Sequence, residues 1–168
     1  MKLKKNIIAF IIIGTIGTLS HFIYEWADKN YFAGLIFPIN ESVWEHLKLL
    51  FFPFSVYSVI EYLSTKEKTD NYFQSTVFSV ICGMFTIVAI YYIYTGVIGK
   101  NIDFLNILIY FIGVMVTLIK KNKIINQNKY NTTKFYIFSL SVWILISVMF
   151  IVFTYNPPSL GIFTPPVI

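Results

Sequence analysis

The ionisable residues with the clearest chemical potential lie in two short stretches. The first holds His21 and Glu25; the second holds Asn40, Glu41, Glu45 and His46. Residues four apart on a helix leave the same face, so His21 with Glu25, and Glu41 with Glu45, would each form a local pair. Imidazole nitrogens and carboxylate oxygens ligate borderline divalent metals. His21, Glu25, Glu45 and His46 are therefore candidate metal ligands, and with Asn40 and Glu41 they make a candidate pocket for a cation or small polar ligand. An acid/base pair is the other chemistry open to them, because burial raises a carboxylate pKa. The string is not His-Glu-x-x-His and completes no zinc-hydrolase spacing, so no catalytic residue is assigned.

Structural roles compete for several of these residues. Ser42-Val43-Trp44-Glu45 fits a capping box, and Glu41 before a helix start suits the helix dipole. Lys48 is expected to snorkel outward, while Tyr24, Trp26 and Trp44 would form an aromatic belt at one level. His21 stands about fifteen residues into an apolar block, some 22 Å along a helix at ~1.5 Å per residue. An ionisable group at that depth is either functional or hydrogen-bonded to hold helices together.

The elements that must position these groups are transmembrane helices. Of 168 residues, 57% are hydrophobic and only 12% charged, too little charge to cover a soluble domain of this size. The apolar residues come in blocks at about 6–26, 43–63, 73–95, 102–118 and 135–153, each near the ~20 residues that cross a bilayer as a helix. Strands are disfavoured because the blocks are long and lack alternation. The expectation is a single all-α membrane bundle of about five helices. Lys2 to Ser20 also has the outline of a signal peptide, but Phe22, Ile23, Tyr24 and Trp26 continue past it, as in an uncleaved first helix.

All 13 basic residues are Lys, none Arg, and they stand beside apolar blocks, a pattern that argues against a nucleic-acid partner. With the N-terminus inside, Lys2, Lys4, Lys5, Lys66, Lys68, Lys120, Lys121, Lys123, Lys129 and Lys134 fall on the inner side, against Lys29, Lys48 and Lys100 outside. That bias obeys the positive-inside rule and puts the C-terminus outside. Segment 120–134 reads as a hydrophilic inner loop, with Glu61, Glu67 and Asp70 solvated nearby. His21, Glu25, Asp28, Glu41, Glu45, His46, Asp103 and Asn106 then share the outer side. Pro157-Pro158 and Pro165-Pro166 forbid a long helix in the tail and suggest an extended outer cover. Pro53 predicts a kink that frees the Leu49 carbonyl, Gly14, Gly17, Gly83 and Gly113 predict close helix approach, and Cys82 reads as core filling.

The strings His21-Phe22-Ile23-Tyr24-Glu25-Trp26 and Phe37 through Lys48 (FPINESVWEHLK), with the tail Leu160-Gly161-Ile162-Phe163, resemble a family of small multi-pass membrane proteins from Gram-positive anaerobes. That family is catalogued as a domain of unknown function. The resemblance spans the chain and implies an all-helical membrane protein of the bacterial cytoplasmic membrane; it brings no reaction or ligand. Three functions follow as expectations: a polar outer pocket that binds or transports a cation or small polar ligand, a metal-dependent or acid/base enzyme acting on a lipid or headgroup, and an accessory subunit whose polar cluster joins helices. A divalent metal is the cofactor consistent with the candidate residues. Membrane lipids are the expected partners, with a second copy or a membrane partner subunit.

Overall fold

A computed structural model describes residues 2–65, 69–127 and 130–166, with side chains from Lys4 onward. Its helices are α1 (Lys2–Trp26), α2 (Tyr31–Ile36), α3 (Val43–Ser64), α4 (Tyr72–Ile98), α5 (Asp103–Ile125) and α6 (Thr133–Tyr155), followed by a 3₁₀ turn at Gly161–Phe163. Among the described residues all regular structure is helical. Five of the helices are long and apolar enough to cross a membrane. A helix satisfies its own backbone groups, the condition an apolar solvent imposes on any spanning segment.

Local chemistry sets the ends. Ser42 Oγ accepts from Glu45 N at 3.3 Å to start α3, and Thr132 Oγ1 accepts from Phe135 N at 3.3 Å to start α6. Gly99, at φ 76°, closes α4 in the left-handed region. The short α2 was not foreseen in the sequence. Asn30 Oδ1 caps it, accepting from Phe32 N at 2.9 Å, and Pro38 follows its end.

Successive spans run up and down, so the bundle has two polar ends. One gathers the C-terminus of α1, all of α2, the N-terminus of α3, the C-terminus of α6 and the tail, and is called here the histidine end. The other gathers Asn6, Glu61, Asn71 and Asn122, which meet through hydrogen bonds among α1, α3, α4 and α5; it is the lysine end. Lys120, Lys121 and Lys123 belong to helix α5 rather than to a loop, because the helix continues to Ile125. Lys66, Glu67, Lys68 and Lys129 lie outside the described residues.

Helix α3 is the hub. Its Leu50, Phe51 and Phe54 are fully buried with Ile13 of α1, Val114 of α5 and Phe150 of α6. Pro53 sits inside α3 and cannot donate to the Leu49 carbonyl. Tyr110 Oη lies between that oxygen, at 3.4 Å, and the Ile13 carbonyl, at 2.9 Å. Gly17 makes this approach feasible, since a Cβ there would strike both Tyr110 Oη and the Leu49 carbonyl. The outward faces carry apolar side chains such as Ile11, Val59, Phe85, Ile119 and Ile144, all exposed. A continuous surface of that kind suits hydrocarbon better than water.

The tail folds back rather than extending freely. Phe163 packs on Trp44, with ring centroids 5.0 Å apart, and on Phe153. Trp44 is therefore a buried wedge against Phe150, Phe153 and Phe163, not part of an exposed belt; Trp26 is exposed.

Candidate metal centre

The structure brings three of the singled-out residues together: His21 from the last turns of α1, Glu41 from the α2–α3 connection, and His46 from the first turn of α3. One potential ligand atom of each lies within 4.8 Å of the others. His21 Nε2 stands 3.4 Å from Glu41 Oε1, and His46 Nε2 stands 3.3 Å from Glu41 Oε2. The two imidazole rings are 5.2 Å apart.

The remaining candidates take other partners. Glu25 points to the surface and pairs with Lys29 at 3.7 Å. Asn40 Oδ1 accepts from Ser42 N at 2.9 Å, shaping the turn just before α3. Glu45 is buried: its Oε2 accepts from Lys48 Nζ at 2.9 Å and from Ile39 N at 3.0 Å, and Thr154 Oγ1 lies 3.1 Å from Oε1. Lys48 therefore does not snorkel. Its ammonium is enclosed, donating to Glu45, to the Gly34 carbonyl at 2.9 Å and to Thr154 Oγ1 at 2.5 Å. The outward route is closed to it by α2 and α6. Asp103 and Asn106 form a separate cluster, in which Tyr94 Oη donates to Asn106 Oδ1 at 2.5 Å and Asn101 Nδ2 approaches Asp103 at 3.4 Å. Asp28 and Lys29 hold the left-handed turn between α1 and α2.

The electrostatics of the trio turn on His46. Its Nδ1 lies 2.9 Å from the Ser42 carbonyl, which can only accept, so Nδ1 carries a proton. In neutral imidazole Nε2 then has a bare lone pair, and that lone pair faces a carboxylate oxygen. Two acceptors at that separation repel unless a positive charge lies between them, either a proton on Nε2 or a metal ion. Hydrogen bonds from His21 and then His46, with their charge, hold the Glu41 carboxyl well below the usual carboxylate range. The acid is thus an anion under all ordinary conditions, and the group that can change is on the histidines or between them.

The distances fit a cation. With bonds of ~2.1 Å, tetrahedral ligands stand ~3.4 Å apart. Each imidazole stands near that edge from one Glu41 oxygen, His21 from Oε1 and His46 from Oε2, so a shared ion would draw the three groups slightly closer. The backbone carbonyl on His46 Nδ1 is the partner that orients a ligating histidine and aims its other nitrogen. Half-burial of both imidazoles, with a more exposed Glu41, leaves room for further ligands from outside.

A second polar cluster, at the lysine end, was not foreseen. Lys121 Nζ donates to Glu61 Oε2 at 2.7 Å, to Tyr72 Oη at 2.8 Å and to Ser58 Oγ at 3.1 Å. Glu61 is therefore half-buried and paired rather than solvated, because α5 carries Lys121 across it. Asp70 is exposed and accepts from Asn131. The clue in the sequence was Glu61, which falls within the last turn of the apolar block 43–63; Lys121 lies just past the end of the block 102–118.

Fold and trio together define a class: a small all-helical protein with five helices long enough and apolar enough to cross a membrane, and a candidate metal centre at one end. Within it, this chain belongs to the family of unknown function DUF6512, which matches residues 1–167. No curated protein and no solved structure matches it.

Proposed function

We propose that this chain is a multi-pass protein of the bacterial cytoplasmic membrane that binds a divalent metal cation through His21, Glu41 and His46 at its outer face. The carrying observation is the His46 ring, whose Nδ1 is committed to the Ser42 carbonyl while Nε2 faces Glu41 at 3.3 Å. A borderline cation such as Zn²⁺ satisfies both imidazoles and the acid at once, and such metals favour this mixed nitrogen and oxygen set. Support for the orientation comes from the exposed lysines. Lys4, Lys5, Lys120, Lys123 and Lys134 surround one end, and Lys29 and Lys100 the other. Positive-inside asymmetry supports an outer position for the trio.

Binding is favoured over passage. A cation at the trio faces a bundle interior filled by Leu50, Phe51 and Phe54, all fully buried. The role of joining helices falls instead to Glu45–Lys48 and Glu61–Lys121, whose charges are saturated by protein groups.

The test is metal content and affinity of the full chain purified in lipid nanodiscs. Parent protein is expected to hold about one Zn²⁺ per chain, and His21→Ala/Glu41→Ala to hold none while keeping its helical circular dichroism. Equal zinc affinity in parent and double variant would sink the reading.

A further inference from the structure

We infer that Glu45, Lys48 and Thr154 are positioning residues that fix Glu41 opposite the two histidines, so that the third ligand is preset by a buried ion pair it never touches. The inference rests on the metal reading of the trio, and its test separates the two. His21 and His46 are anchored on long helices, whereas Glu41 lies in the connection 37–42 and has no helix to hold it.

The buried pair holds that connection at several points. Lys48 Nζ donates to the Gly34 carbonyl at the end of α2, 2.9 Å away. Glu45 Oε2 accepts from Ile39 N, two residues before Glu41, at 3.0 Å. The Glu45 backbone N–H donates to Ser42 Oγ, one residue after Glu41, at 3.3 Å. Thr154 brings in α6, its hydroxyl lying within hydrogen-bonding distance of both Lys48 and Glu45. Glu41 thus sits between two tethers that end on one carboxylate residue.

The environment explains why charge is used. The Lys48 side chain is 0% exposed and that of Glu45 2%. An apolar pair of the same volume would often be as stable, because removing both charges from water is costly. An apolar pair could not, however, accept from Ile39 N or donate to the Gly34 carbonyl. Those two backbone groups give the connection its path, and specificity of path is what the ion pair supplies.

The experiment compares parent chain with Glu45→Met/Lys48→Met, apolar residues of similar size that can neither accept from Ile39 N nor donate to the Gly34 carbonyl. Zinc affinity is measured on unlabelled chains and an independent position readout on labelled ones, all in nanodiscs of one composition. For the position readout, spin labels replace Glu41 and Trp26 in a Cys82→Ser background, and their separation is measured by pulsed electron resonance. The expected result is a zinc Kd raised about 10- to 100-fold, the usual cost of losing a group that orients a ligand, and a broadened label separation. Broadening with no zinc bound even by the parent would overturn the metal reading and keep the positioning. An unchanged separation would overturn the positioning, whatever the zinc result. If the double variant loses its helical content, Thr154→Val takes its place. It removes the one hydroxyl that Lys48 and Glu45 share, with about a threefold loss of affinity expected, and an unchanged separation there would be equally decisive against the proposal.

Discussion

The two ends of α3 each hold one acid between two polar partners, and arrange them to opposite effect. At the lysine end Glu61 meets Lys121 and Tyr72, and both partners arrive carrying protons: ammonium N–H at 2.7 Å, and a phenol whose Oη is 2.6 Å from the same carboxylate oxygen. Nothing is missing. At the histidine end Glu41 meets two imidazoles, one with its proton already given to a backbone carbonyl. With both imidazoles neutral, that end lacks a positive charge. A cluster completed by its own protons is a clasp, whereas one left short of a cation is a candidate binding site. Residue identity separates them more than burial does, because ammonium is always a donor near neutrality and imidazole is a donor or a ligand.

The sharpest way to break this contrast is to treat the ends alike. Lys121→Met leaves Glu61 half-buried without its ammonium, and is expected to destabilise the bundle by about 3 kcal/mol, the low end for a broken buried pair because Glu61 keeps some solvent contact. Zinc affinity should not move. Chemical unfolding of the nanodisc-released protein, together with zinc titration, reads both quantities. A variant that lost zinc as well would mean that the ends are coupled and not two separate devices.

His46→Ala is the reciprocal change. It removes a ligand from a half-exposed site and takes no packed group from the interior. Zinc affinity is expected to fall more than about 100-fold, beyond the loss seen when only an orienting partner is removed, with the unfolding midpoint of metal-free protein nearly unchanged. A drop in metal-free stability comparable with that of Lys121→Met would make the trio another clasp.

Acid provides a gentler probe. Imidazole must be neutral to ligate, so protons compete with the metal and zinc affinity should fall about tenfold from pH 7.5 to pH 6. Glu41 takes no part in that fall, since its histidine hydrogen bonds keep it ionised well below the ordinary carboxylate range. The sign for folding follows from the same depression. A lowered carboxyl stabilises the fold above its unfolded value of ~4.3, and that contribution fades only as pH drops through the lower folded value. Metal-free parent should therefore outlast Glu41→Gln in mild acid, above pH ~4.3 and while the imidazoles still donate to the carboxylate, and their difference should shrink in stronger acid. Zinc affinity flat from pH 7.5 to pH 6 would remove the histidines from the site.

The comparison also explains what could be read in the sequence. The five long helices were legible because each is a block of apolar residues near the ~20 that cross a bilayer as a helix. The six-residue α2 was not, being too short for periodicity, although Asn30 and Pro38 mark its boundaries. His21 and His46 were legible as unusual residues near an apolar boundary. The identity of their acid was not: helical spacing favoured Glu25 with His21, yet α1 ends at Trp26, and Glu25 turns to Lys29 at the surface. Glu41 precedes the helix that carries His46, so the cap at Ser42 and the turn at Asn40 set its direction. The clasps were hidden for a different reason. Lys48 with Thr154 and Lys121 with Glu61 are pairs 106 and 60 residues apart, joined by packing and by no local pattern.

Between the ends, α3 has a polar point of a third kind, and it yields the smallest expected effect. Pro53 frees the Leu49 carbonyl at a depth where water is scarce, and Tyr110 Oη is the donor beside it. The same hydroxyl lies closer to the Ile13 carbonyl, so each acceptor has a share in a single proton. Tyr110→Phe removes that proton and nothing else of comparable size. The Ile13 carbonyl retains its place in the α1 helix, which leaves the Leu49 carbonyl as the group that loses its donor. A loss of about 1 kcal/mol is expected, that of one buried hydrogen bond, with zinc affinity and the lysine-end clasp untouched. Adding Pro53→Ala should return most of it, because an N–H at residue 53 restores the helical donor to Leu49. If Tyr110→Phe weakened zinc binding too, the neutral middle would be transmitting position from α5 through α1 to His21, and the histidine end would have to be treated as part of a bundle-wide network.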